Sequence, residues 1–265
     1  MRRVACGMQP SPPPRPLGAP ARHLASVGST MTEAAAWAVA GAPHGAAVVA
    51  ETQTAGRGRH GRVWHDVPGA SLMVSLVLRP ALAPECLGLV GLAAGLALTE
   101  AAEAFGAAAR LKWPNDVLAP DAHGGLAKLA GVLAEASWSG TAPTVILGAG
   151  LNVGQDAFPR GLRATSLRIA AGRDVARLEP LAPFLDAFAA RLAQAESDPA
   201  RLLADVEARL VGLGERCRVG FPGTDRPALA GTALGLAPDG ALRLATPAGE
   251  RRVHAGEVTL AALEP

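Results

Sequence analysis

"ETQTAGRGRHGRVWHDVPG", residues 51–69, gathers Gly56, Gly58, Gly61 and Gly69 with Arg57, Arg59 and Arg62, in a chain that is only 18% charged. Glycines let a backbone take positive φ and approach a ligand closely. Guanidinium groups are permanent planar cations that match phosphate or carboxylate oxygens, and the amides of such a loop can form an anion nest. No Gly-Lys-Ser/Thr follows the glycines, which excludes a P-loop. No helix clearly follows either, which argues against a dinucleotide fingerprint. The loop alone leaves two readings open, a solvated turn and a phosphate cradle.

Working outward, "AAVVAETQ" (46–53) reads as a strand leading into the loop, and "SLMVSLVLRP" (71–80) as a second strand ended by Pro80. Upstream, "STMTEAAAWAVAGA" predicts a helix over about 31–40 that stops near Gly41. Thr30 and Glu33 there have capping-box spacing. Downstream, "CLGLVGLAAGLALT" (86–99) holds 14 uncharged residues, short of the roughly 20 that a membrane span needs. It predicts a buried helix over about 85–106. "ARLKWPND" (109–116) is a strand running into a turn. "LAGVLAEASW" (129–138) and "PTVILGAGLNVG" (143–154) are strands joined by a hairpin at "SGTA". Residues 180–212 are helical by pattern, with Asp198 and Pro199 as an N-cap and first-turn pair. After Gly214 the pattern turns to short strands, with turns at Pro238-Asp239-Gly240 and Pro247-Ala248-Gly249. The chain thus reads as an α+β fold in three parts. These are a disordered proline-rich tail (1–20), a domain with a mixed central sheet and helices (21–212), and a small β-barrel (213–265).

The net charge of +2 is too small to predict nucleic-acid binding from charge alone. Cys6, Cys86 and Cys217 are odd in number and far apart, which opposes a disulfide framework and a zinc site and suits a reducing cytoplasm. The six histidines show no metal-binding spacing, and no GxSxG elbow exists. Chemistry by positioning and electrostatics is therefore expected, with no protein nucleophile.

Three further motifs carry candidate residues. "KWPND" offers Lys112, Asn115 and Asp116 at a strand end, a set that can hold a triphosphate and its magnesium ion or simply close a turn. In "KLAGVLAE", Lys128 opens an apolar strand, where it can pair with a buried anion or snorkel to water. In "GAGLN", Gly148 and Gly150 interrupt a strand before Asn152, which marks either close approach by a ligand or tight sheet packing.

Taken in order, "ST" (29–30), "ETQTAGRGRHGRVW" (51–64), "KWPND" (112–116), "KLAGVL" (128–133), "GAGLN" (148–152) and "GEV" (256–258) resemble the biotin protein ligases, over about residues 20–262. The resemblance implies a class II synthetase-like catalytic fold followed by an SH3-like barrel. It implies ATP-dependent conversion of biotin to biotinyl-5′-AMP, then transfer to a lysine of a biotin carboxyl carrier protein, with magnesium as cofactor. It also implies a homodimer. By the same resemblance Ser29, Thr30, Gln53, Gly56, Arg57, Gly58, Arg59, Lys128, Gly131, Gly148 and Gly150 hold biotin. Arg59, Arg62, Trp64, Lys112, Asn115 and Asn152 hold the nucleotide, and Asn115 and Asp116 the magnesium. Lys128, Arg59 and Asp116 are the catalytic set. Met31 stands where many relatives have Asn, His60 where Arg is common, and the turn between Asp116 and Lys128 is longer than usual. The proline-rich start leaves no room for a helix-turn-helix, so no repressor activity, nucleic-acid partner or membrane partner is expected.

Overall fold

The computed structural model describes residues 16–139 and 142–260. Of the expected disordered tail (1–20), residues 1–15 lie outside the described residues, as does the centre of the "SGTA" turn; residues 16–20 depart from the expectation, with Gly18 N bonded to Gly45 O at 2.8 Å and Leu17 packed against the main core. Two sheets organise the chain. The first has seven strands: β1 (Ala21–Val27), β2 (Ala47–Gln53), β3 (Ser71–Leu78), β4 (Arg110–Lys112), β5 (Asp116–Pro120), β6 (Leu126–Ser139) and β7 (Ala142–Asn152). They lie in the order β1-β2-β3-β7-β6-β5-β4. The β1–β2 pair is parallel and every other pairing antiparallel, so the sheet is mixed as the sequence predicts. Strand β1 had no reading from sequence, since "ARHLASV" is mostly exposed and shows no apolar alternation.

Alternation in β3 decides what each face of this sheet does. Leu72, Val74, Leu76 and Leu78 join the main core. That core includes α2 (Gly88–Ala104), α4 (Leu181–Ser197) and α5 (Pro199–Glu207). Apolar enough to match a membrane span by length and composition over Pro84–Ala104, α2 is instead the central core helix. Its Leu89, Leu96 and Leu98 are fully buried. The opposite face is only part-covered. Helix α1 (Thr30–Val39) packs Met31 and Ala34 over Val48, Val77 and Ile146. Ser71, Met73 and Ser75, which alternate with the core residues of β3, are buried on this face. A short helix α3 (Leu167–Ala171) is N-capped by Ser166, whose hydroxyl accepts from Ile169 N.

The caps sort the sequence expectations. Asp198 caps α5 as expected, accepting from Arg201 N at 3.0 Å. The capping box at α1 does not form: the N-cap is Ser29, with no side-chain cap bond. The Thr30 hydroxyl turns instead to Gln53 Oε1, 3.1 Å away. Tertiary bonding outcompetes the local cap because the glutamine is held at the adjacent strand end.

The second sheet holds β8 (Arg216–Gly220), β9 (Leu229–Leu236), β10 (Leu242–Thr246), β11 (Gly249–Val253) and β12 (Glu257–Leu260). Its order is β11-β10-β9-β8-β12, wholly antiparallel. Among the described residues no pairing joins β11 to β12, so the expected barrel is an antiparallel five-stranded sheet without hydrogen-bonded closure. It docks firmly on the first unit. The buried Trp113 of "KWPND" donates Nε1 to Gly240 O at 3.1 Å, and Glu207 at the end of α5 accepts from Leu236 N at 2.5 Å. Gly240 itself lies against Leu89 and Leu92 of α2. Trp113→Phe keeps one aromatic ring but loses the five-membered ring with its N–H, which strands the buried Gly240 carbonyl. It is expected to lower the free energy of unfolding by about 1–3 kcal/mol, read by urea denaturation. An unchanged midpoint would show that the bond does not join the two units.

Candidate active site

The uncovered face of the central sheet forms the floor of a cavity of about 310 Å³. Register aligns the residues that make it. Across the strands, Asp116 pairs with Gly131, Gly131 with Gly150 and Gly150 with Met73; one step along, Leu133 pairs with Gly148 and Gly148 with Ser75. The three glycines make room for specific side chains. A Cβ on Gly150 would stand 2.7 Å from the Trp64 ring, and one on Gly148 2.7 Å from Met31 Sδ. At Gly131 it would stand 3.2 Å from Lys128 Nζ. At Gly148 and Gly150 glycine matches this close approach, one of the two readings that "GAGLN" left open.

Lys128 reaches this face through an irregularity in β6. Val117 pairs with Ala130 and Leu118 with Lys128, so Leu129 is an extra residue in the ladder. Such a bulge re-aims neighbouring side chains. Leu129 is fully buried in the core, whereas Lys128 Nζ enters the cavity, 2.6 Å from Asp116 Oδ1. That oxygen is buried and has this ion pair but no hydrogen bond.

At the other end, Gln53 terminates β2. Its Oε1 accepts from Thr30 N at 2.8 Å and from Thr30 Oγ1 at 3.1 Å, and Ser75 Oγ donates to Thr30 Oγ1 at 2.8 Å. Its Nε2 meets only the Met73 thioether, at 3.2 Å. Ser29 Oγ and Trp64 Nε1 are buried without a hydrogen-bond partner. Unmet buried polar groups are costly, and both belong to residues that line the cavity. They are the groups a bound ligand would satisfy.

The Gly/Arg loop closes over this floor. Gly58 N bonds Arg62 O at 2.7 Å and Trp64 N bonds Gly56 O at 3.0 Å, folding the loop on itself. His60 takes the left-handed region, φ 56°. Each arginine is tied down. Arg57 pairs with Glu135 on β6. Arg59 donates Nη1 to Asn115 Oδ1 at 3.1 Å and to Gly256 O at 3.2 Å. Arg62 forms a two-pronged pair with Glu257, 2.6 Å on each side. Burial pulls the Arg59 guanidinium below its ordinary value, opposed by Asp116 and Glu257; it remains a cation.

Every residue proposed from sequence lines the cavity except Gly56. Gly56 lies at the loop base, where a Cβ would stand 3.2 Å from Gln53 Nε2. Two of these residues are also bonded within the protein. Asn152 faces the cavity, but its Nδ2 donates to Thr165 O at 3.0 Å and to Lys128 O at 3.4 Å. Both N–H groups face protein carbonyls in this structure. Asn115 likewise gives Oδ1 to Arg59 and donates Nδ2 to Val132 O at 3.0 Å, which leaves Asp116 as the acidic oxygen donor. Lys112 makes no ion pair among the described residues and lines the cavity. The long turn before Lys128 is a hairpin. Asp121 Oδ1 accepts from His123 N and Gly125 N, bonds that hold its carboxyl below the usual value.

Sequence reasoning missed several wall residues. Phe158, Leu162 and Ala164 come from the loop after β7, and Glu257, Val258 and Thr259 from β12. The "GEV" motif marked the second group without a role. Asp66 was also missed. Its Oδ2 accepts from Gln53 N at 3.3 Å.

A glycine-floored pocket under an arginine loop suits an anionic ligand, and the comparisons supply the family. Residues 24–152 match the biotin/lipoate A/B protein ligase family, and residues 212–260 the biotin protein ligase C terminal domain. The chain is 39% identical to the biotin–[acetyl-CoA-carboxylase] ligase of Paracoccus denitrificans over 89% of this chain and 98% of that protein. It is also 39% identical to the enzyme of the same name from Mycobacterium tuberculosis, over 76% of this chain and 74% of that one. The biotin protein ligase of Aquifex aeolicus, solved with biotin and ATP, superposes with a TM-score of 0.76 at 31% identity, covering 91% of this chain and 97% of that one. The chain belongs to the biotin protein ligase family, and it is an enzyme of the ligase class.

Burial pushes the Asp66 carboxyl up from its ordinary value of 3.8, against hydrogen bonds from Gln53 and Ser71 and the charge of Arg177. A raised folded value contributes stability that is present at low pH and lost as pH rises through it. Asp66→Asn, which does not titrate, is therefore expected to gain thermal stability relative to the native chain as pH rises from about 4 to 7. Melting curves across that range test this, and a constant gap would contradict it.

Proposed function

We propose that the protein activates biotin with ATP, forming biotinyl-5′-AMP and pyrophosphate. It then transfers biotin to one lysine of a biotin carboxyl carrier protein of acetyl-CoA carboxylase or a related carboxylase, releasing AMP. The observation that carries this is the Lys128 ammonium on the glycine floor, beneath the three arginines of the loop and beside Trp64. In the first step a carboxylate oxygen attacks the α-phosphorus of ATP while the bond to pyrophosphate breaks. Two anions must meet, and Lys128 and Arg59 offset their repulsion as charge builds on the phosphorus oxygens. Asp116 holds Lys128 in place until the anions arrive. Trp64 supplies an aromatic face for adenine, and Lys112 and Arg62 face the polyphosphate.

Gln53, Ser29 and Thr30 recognise the polar ring of biotin. Ser29 Oγ and one Gln53 N–H are the uncommitted groups there. In the second step the neutral amine of the carrier lysine attacks the acyl carbon of the mixed anhydride, the carbon–oxygen bond to AMP breaks, and the nitrogen gives up one proton to solvent. The loop over the cavity keeps water from the anhydride.

Magnesium fits this site as an ion carried by the nucleotide. Among the described residues no group of three or more His, Cys, Asp or Glu side chains could cage a metal. Asp116 offers one carboxylate, which is the usual protein share for magnesium held mainly by phosphates and water. When bound, the ion would neutralise phosphate charge. The reading includes a cytoplasmic setting, which the separated cysteines support, and a homodimer, which rests on likeness to the family.

The test is incubation with ATP, magnesium, labelled biotin and an apo carrier domain. Label on the carrier lysine is expected. No label, or labelling by lipoate and not biotin, would overturn the proposal. Lys128→Ala is expected to abolish adenylate formation and leave the melting curve near that of the native chain. Normal adenylation in that variant would remove Lys128 from its role.

A further inference from the structure

Lys128 stands at a weak point of the sheet. The regular β6–β7 ladder begins at Ala130 opposite Leu151, and the bulge at Leu129 loosens the β5 side. The backbone of Lys128 is held instead by the segment after β7. Lys128 N donates to Arg163 O at 3.2 Å, and Lys128 O accepts from Thr165 N at 2.9 Å. Asn152 Nδ2 adds a second bond to Lys128 O, at 3.4 Å, and reaches Thr165 O at 3.0 Å.

An amide can present either end, so something must orient Asn152. Gln155 does so. It is 3% exposed and does not line the cavity. Its Nε2 donates to Asn152 Oδ1 at 3.3 Å and to Ser71 Oγ at 2.6 Å, and its backbone carbonyl accepts from Ser166 Oγ at 2.6 Å. With its oxygen facing this donor, Asn152 must aim both N–H groups at the carbonyls of Lys128 and Thr165. Gln155 Oε1 is itself buried without a hydrogen-bond partner. Such a residue carries a cost that packing alone does not explain.

We propose that Gln155 is a positioning residue for the ligase reaction: through Asn152 it clamps the backbone of Lys128 and so sets where the ammonium meets the reacting anions. This rests on the role given to Lys128 in the proposed function. The clamp acts on the strand and not on the ligand. Its loss should therefore slow adenylation without weakening the recognition of biotin at the Ser29 and Gln53 end.

The chain suits a direct test because it holds only two lysines, Lys112 and Lys128. In the full-length protein, Gln155→Leu keeps side-chain bulk and removes the donor. Single-turnover adenylate formation is expected to fall about 10- to 100-fold, as for lost supporting contacts or a misplacement of about 1 Å, while KM for biotin stays near that of the native chain. Acetic anhydride labelling read by mass spectrometry needs no substrate. The ratio of Lys128 to Lys112 modification is expected to rise as Lys128 loosens from Asp116. Asn152→Asp loses both donors to the carbonyls and should reproduce the loss, and the double variant should be no slower than Asn152→Asp alone. The clamp is overturned if folded Gln155→Leu adenylates at the native rate with an unchanged labelling ratio. It is equally overturned if the two losses multiply. If Gln155→Leu does not fold, Asn152→Asp reads the same rate and ratio, and native values there overturn the clamp. A native chain that makes no adenylate would refute the ligase reading, while the labelling ratio would still decide the clamp.

Discussion

One face of the central sheet packs other groups directly onto backbone at three neighbouring positions. Gly131, Gly148 and Gly150 lie side by side in the register of β6 and β7, where a Cβ would stand 3.2 Å from the flexible Lys128 end, 2.7 Å from the Met31 thioether and 2.7 Å from the Trp64 ring, respectively. The Trp64 ring, the Met31 thioether and the Lys128 ammonium rest directly on backbone. Without that flat strip the tryptophan would lift, the loop it anchors would open, and the lysine would lose its path to Asp116. The rest of the site follows from this packing. Helix α1 covers Gly148 through Met31, the second sheet walls one end, and the loop covers what remains.

The electrostatics are arranged for exchange. Nearly every cation over the strip already has an anionic partner: Arg57 has Glu135, Arg62 has Glu257 and Lys128 has Asp116. The two arginine pairs are exposed and add little net stability, about 0–1 kcal/mol each, whereas the Lys128–Asp116 pair is half-buried. An incoming carboxylate or phosphate can therefore replace the two arginines' carboxylates at low cost. Arg59 differs: it is more buried, and its direct contacts are neutral acceptors, Asn115 and the Gly256 carbonyl. Of the three arginines it is the one least compensated by protein, and so the one best placed to respond to phosphate. Because Gly256 and Glu257 sit on the C-terminal unit, closure of the loop is shared between both halves of the chain.

Elements with strong local signals were legible in sequence. The apolar runs of β3, β7 and α2, the Asp198-Pro199 cap and the order of the glycine and lysine motifs all led to the right architecture. The site residues were legible because glycine, lysine and arginine are rare enough in those strands to stand out. What sequence could not show is tertiary in origin. Thr30 abandons its local cap for Gln53, and Asn152 spends its donors on a distant carbonyl. Strand β1 is held by its partner and not by its own pattern. The bulge at Leu129, which aims Lys128, leaves no mark in a run of small and apolar residues. Gln155, three positions beyond a recognised motif, reads as an ordinary loop amide until its burial is known.

The central claim is that anions of the mixed anhydride displace the protein carboxylates on the glycine strip. A crystal structure with a non-hydrolysable biotinyl-adenylate analogue tests it most directly. The account predicts the phosphate, or its mimic, within hydrogen-bonding distance of Lys128 Nζ and the Arg59 guanidinium, with the Lys128–Asp116 contact lengthened and adenine against Trp64. A ligand seated away from β6, with Lys128 still paired to Asp116, would contradict it.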